Sequence, residues 1–185
     1  MRVTVFDKNP GKGLTQWFLM ASWAVGCWLQ KLFGLVDEYY GASSWDDALK
    51  WLTSRPGKLS SVQYWGHGSP GTAWLAGKFV TADSFKPLKE KLDRTSLLWF
   101  RTCSTFQGRN GQHFAMHLAD LLDCTIAAHT RVIGLWQGGL HTHSPRTMPS
   151  WPVDEAEYKG VLPAHLFPVG NNVIFCMTTR IPEGW

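Results

Sequence analysis

Leu97-Leu98-Trp99-Phe100 is apolar at every position, and no water-facing strand has that pattern. Residues 2–6, 61–65 and 125–128 are similarly short, rich in apolar and β-branched residues, and bounded by turn signals. Segments of helical periodicity lie between these strands. Short buried strands alternating with helices predict an α/β protein: a three-layer αβα sandwich with a mostly parallel central sheet covered on both faces.

The helical segments are expected at 14–33, from Ser44 to about 53, at 83–92 and at 111–122. In the first, Leu14, Phe18, Ala21, Val25, Trp28 and Leu32 recur at helical spacing, with a weaker polar stripe at Thr15, Ser22, Gly26 and Gln30. Such a helix suits a buried position or a contact with a second copy of the chain. Membrane association is disfavoured, because the polar positions share one face and the flanks lack a positive-side bias. Ser44 before Asp46 and Asp47 reads as a helix start. Residues 73–80, with Gly77-Lys78 near their centre, suggest a small hairpin or an irregular excursion. Residues 136–160 are rich in Gly, Pro, Ser and His and read as a long irregular loop shaping a cleft. A last strand is expected at 173–177.

The chain has 185 residues, enough for one well-buried core, so a single domain spanning 1–185 is expected. A hydrophobic share of 44% against 17% charged residues excludes a disordered chain. The net charge of +4 is scattered, without the basic stripe that nucleic-acid binding needs. Cys27, Cys103, Cys124 and Cys176 form no C-x-x-C pair, so free thiols in a reducing, cytoplasmic setting are the economical expectation. Residues 1–7 read as a strand and not as a secretory leader.

Open α/β sheets bind ligands beyond the C-terminal ends of their strands. Two such ends carry reactive side chains: Tyr64-Trp65-Gly66-His67-Gly68 and Trp99-Phe100-Arg101-Thr102-Cys103-Ser104. An imidazole beside a thiol is what nucleophilic acyl transfer requires, with Cys103 attacking and His67 moving the proton. Gly68 lacks a Cβ, so its N–H, with that of Cys103, could face a developing oxyanion. Cys103 as a buried small hydrophobe and His67 as a turn residue is the competing account.

These blocks, continuing through Gly111 and its helix to Ala127-Ala128-His129-Thr130, resemble the caspase/legumain/gingipain superfamily of cysteine peptidases. They are most similar to caspase-like domains of bacterial proteins. The resemblance covers roughly 60–135 and implies a caspase-haemoglobinase-like fold, a Cys103–His67 dyad, an oxyanion role for Gly68, a peptide or protein substrate, and no cofactor. Thr102 stands where that superfamily often has Ala. A catalytically inactive scaffold or interaction domain is the rival expectation.

Four further residues are candidates for the cleft. Asp7 could orient His67 or bind a basic group, or could simply hold the turn after the first strand. Ser69 and Ser104 flank the reactive blocks but lack the G-x-S-x-G of a serine nucleophile. Trp136, like Trp65, Trp74 and Trp151, could wall the cleft. His129, His141 and His143 offer a zinc set only if folding recruits them together.

Overall fold

The computed structural model describes residues 1–155, 167, 168 and 170–185. A six-stranded sheet is built from β1 (Arg2–Asp7), β2 (Glu38–Ala42), β3 (Ser61–Trp65), β7 (Leu97–Arg101), β8 (Thr125–His129) and β10 (Leu140–His143). Their order is β10-β8-β7-β3-β1-β2, parallel except for β10, which runs antiparallel to β8. The expected mostly parallel sheet flanked by helices is present.

Its helices are α1 (Leu14–Leu32), α2 (Trp45–Thr53), α3 (Gly108–Leu122) and a 3-10 helix, Ala82–Leu88. The connection from β1 to β2 runs one way across the sheet, whereas those through β3, β7 and β8 run the other. Among the described residues, right-handed crossovers therefore put α1 alone on one face, and α2, the 3-10 helix and α3 on the opposite face. Side chains alternate accordingly. Val3, Val5, Val62, Tyr64, Leu98, Phe100, Ile126 and Ala128 join the main core beneath α2 and α3. Thr4, Gln63, Trp99 and Ala127 form one in-register row on the other face, and Phe6, Trp65 and Arg101 the next.

The Ser44 hydroxyl caps α2, accepting from the Asp47 N–H at 3.1 Å. The expected hairpin is β5 (Thr72–Leu75) and β6 (Lys78–Phe79), turned by Ala76 and Gly77 with φ of 52° and 75°; β4 (His67–Ser69) pairs with β5.

Four expectations need correction. Residues 83–92 do not form an α-helix: Pro87 supplies no N–H, and the segment tightens to the 3-10 turn. Residues 136–160 are not one irregular loop, since 140–143 form β10 and β9 (Trp136–Gln137) pairs with β11 (Ile174–Phe175); 156–160 lie outside the described residues. The last strand shrinks from 173–177 to those two residues. Finally, of the two positions expected for α1, burial in the single chain is not the one that its apolar stripe takes. Gly26, Cys27 and Gln30 are buried, whereas Leu14, Phe18, Val25, Trp28 and Leu32 are all at least half exposed. The edge strand β2 was not anticipated either. Gly41 interrupts its pattern, and a Cβ there would stand 2.7 Å from the Phe6 ring.

Candidate functional site

The row Phe6–Trp65–Arg101 ends at the carboxyl edge of the sheet, and a cavity of about 500 Å³ opens there. Its walls are Leu19, Ser22, Trp23 and Gly26 of α1, Trp65–His67 after β3, Arg101 and Cys103 after β7, residues 133–135 with Gln137, and Cys176–Met177. His67 and Cys103 thus share one cavity, at neighbouring strand ends as the sequence suggested.

His67 Nε2 lies 3.0 Å from Gln16 Oε1, and the Trp23 ring meets the imidazole edge-on. With the amide oxygen as acceptor, Nε2 carries the proton and Nδ1 keeps the free lone pair. Cys103 is held by the 133 loop: its thiol donates to the Ile133 carbonyl at 3.8 Å, and the Ile133 N–H donates back to sulfur at 3.5 Å. Burial raises the thiol above its ordinary value, and the Ile133 N–H offsets this only in part. No hydrogen bond joins His67 to Cys103 in this state of the protein.

Arg101 is the floor. It is fully buried between the Trp65 and Trp99 rings, 4.7 and 4.5 Å from their centroids. Its Nε and Nη2 donate to Gln137 Oε1, Nη1 to Gln63 Oε1 and the Thr178 carbonyl, and Nη2 also to the Cys176 carbonyl. Among the described residues no carboxylate pairs with it. A desolvated cation held by neutral acceptors gives the cavity a positive floor under largely apolar walls. Cys176, also in the wall, is raised by burial and drawn down by Arg101.

Gly68 is not a wall residue. It backs the site: a Cβ there would lie 2.7 Å from the Cys103 carbonyl oxygen and 2.5 Å from Thr105 Oγ1, so only glycine lets β4 approach the turn after β7. The remaining cleft candidates are placed elsewhere. Asp7 is buried, with Oδ1 accepting from the Asn9 N–H and Oδ2 from the Ala76 N–H, so it holds two turns and does not reach His67. Ser69 Oγ accepts from Trp74 Nε1. Ser104 turns the chain at φ 57°, its N–H donating to the Arg131 carbonyl. Trp136 packs edge-on against Phe175 outside the cavity. Of the tryptophans considered, Trp65 lines the wall, whereas Trp151 is stacked in the core on Phe106. Among the described residues no three His, Cys, Asp or Glu side chains are grouped to hold a metal ion.

Gln16, Trp23, Arg101 and Gln137 escaped the sequence reading. Arg101 left a signal: it follows Trp99 on the same side of a strand that is otherwise apolar, just as Thr4 and Gln63 interrupt that side of β1 and β3. Gln16 left none, because its role depends on which face of α1 turns inward. No protein-family model matches the chain, nor does any curated protein or solved structure. Among the described residues no helix is long and apolar enough to cross a membrane.

Proposed function

We propose that the chain is a thiol hydrolase of the cysteine-peptidase kind, with Cys103 as nucleophile and His67 as its acid–base partner. The observation that carries this reading is the shared cavity at the carboxyl ends of β3 and β7. His67 Nδ1 would take the Cys103 proton as sulfur attacks the amide carbonyl carbon. The carbonyl electron pair moves to oxygen, where the Cys103 N–H is the donor that the sequence offers; the Gly68 N–H, which the caspase-like resemblance implies as a second donor, lies behind the cavity wall. Collapse of the tetrahedral species expels the amine, which receives its proton from His67. Water then attacks the thioester, giving its proton to His67, and the thiol returns as the acid departs. The same resemblance implies a caspase-haemoglobinase-like fold and a peptide substrate, and the sheet with its crossover helices agrees with that fold.

A second reading, an interaction scaffold without catalysis, draws on one observation: the Cys103 thiol is raised by burial and bonded to Ile133, not to His67. The pH dependence of iodoacetamide labelling at Cys103, in wild type and His67→Ala, separates the two. A dyad labels well below the range of an ordinary thiol and loses that reactivity in the variant. Labelling confined to alkaline pH and indifferent to the substitution would falsify the hydrolase reading and leave the scaffold.

A further inference from the structure

Helix α1 presents its more apolar side to the outside. Leu14, Trp17, Phe18, Val25, Trp28 and Leu32 lie within one stripe, each 51–71% exposed. The side turned to the sheet carries Gln16, Gly26 and Gln30. Gly26 sits under Trp65, so that a Cβ would lie 2.8 Å from the ring. Trp23, Ala24 and Cys27 pack inward, but the outer stripe leaves much of the apolar surface of this helix uncovered in the single chain.

We infer that this stripe is the dimerisation seam of the protein, covered by α1 of a second copy. Three observations select that occupant. Leu14, Phe18, Ala21, Val25, Trp28 and Leu32 are spaced 4, 3, 4, 3 and 4 residues apart, the 3.5-residue repeat that a helix of the same repeat interlocks with. No charged residue stands between Lys12 and Lys31, so two copies can meet about a two-fold axis without like charges in the seam. The exposed parts of Leu14, Trp17, Phe18, Val25, Trp28 and Leu32 amount to roughly 500 Å² per copy, about 1,000 Å² for the pair, the lower threshold of a specific interface. The pairing does not depend on catalysis, although Gln16, on the inner side of the same helix, ties it to His67.

Sedimentation velocity of the full chain over a micromolar dilution series tests the seam, alongside Val25→Glu and Trp28→Glu. The expected result is a dimer that becomes a monomer in each variant, with the far-UV circular dichroism unchanged because both side chains face outward. Phe18→Glu replaces either variant that fails to fold. A wild-type monomer throughout the series overturns the inference, as does a dimer that survives the substitutions. Flotation of a monomer with phosphatidylcholine–phosphatidylglycerol vesicles, abolished by the same substitutions, overturns it too and assigns the stripe to a membrane surface.

Discussion

The two faces of the central sheet are built on different rules. Beneath α2 and α3, the strands contribute Val, Leu, Ile and aromatic side chains, and Phe100 meets Tyr64, Phe85 and Phe114 ring to ring. Beneath α1, the same strands mix Phe6, Trp65, Trp99 and Ala127 with Thr4, Gln63, Arg101 and His129, all buried. Thr4 Oγ1, Trp99 Nε1, His129 Nε2 and the Gln30 amide find no hydrogen-bond partner among the described residues. One face is the larger apolar core, and the other sets polar groups among its apolar ones beside a cavity with a charged floor. The largest expected effect follows: Phe100→Ala lowers stability by about 3–5 kcal/mol, read from denaturant unfolding. A loss below about 1 kcal/mol would mean that the two faces do not divide the work in this way.

The second prediction concerns pH and belongs to the polar face. Burial, with the Arg101 charge adding to it, pushes His129 down to about 3 from an ordinary 6.5. Below pH 6.5 the unfolded chain takes up a proton that the folded chain excludes until about pH 3. Stability therefore falls as pH drops through that window and levels off beneath it. His129→Asn, a neutral replacement, should flatten the slope by an amount on the order of a few kcal/mol across the window, measured by unfolding at fixed pH values. An unchanged slope would place the acid sensitivity elsewhere, His143 being next because burial lowers it in the same direction.

The burial of the strands was the legible part. Runs such as Leu97–Phe100 specify burial by composition alone, and turn residues mark their ends. His67 and Cys103 were legible for a related reason: open parallel sheets put their sites at strand ends, and both residues follow one. The polar face was not, because its partners meet only in three dimensions. Gln16 reaches His67 from 51 residues away, and Arg101 draws on Gln63, Gln137 and the chain at 176–178. Periodicity revealed the apolar stripe of α1 but carried no sign of which way it faced. β10 was hidden for a different reason, since its alternate positions are His141 and His143 in a Gly- and Pro-rich stretch.

The third prediction sharpens the link between α1 and the site. Gln16→Ala removes the acceptor at His67 Nε2 and leaves the imidazole free to turn or exchange tautomers. The loss of about one neutral hydrogen bond corresponds to roughly a five-fold drop in the His67-dependent labelling of Cys103. The half-buried Gln16 contributes little to the core, so the unfolding midpoint should barely move. Gln16→Glu, which keeps an acceptor at that position, should retain the labelling. An equal loss in both variants would make Gln16 a packing residue and detach the helix from the chemistry.

The smallest expected effect lies on the outer side of α1. In dilute, monomeric protein, Val25→Glu should change stability by no more than about 0.5 kcal/mol, since Val25 is 54% exposed and its carboxylate replacement remains in water. Under conditions where the chain associates, the same substitution should lower the concentration-dependent part of the unfolding midpoint, because a partner that binds only the folded form adds stability by mass action. Two unfolding curves at different chain concentrations, with and without the substitution, isolate that part. If Val25→Glu destabilises the monomer as strongly as a core substitution does, the outer stripe already supports the fold of the single chain. The contrast between the face of the larger core and the face of the cavity would then stop at the sheet and not extend to α1.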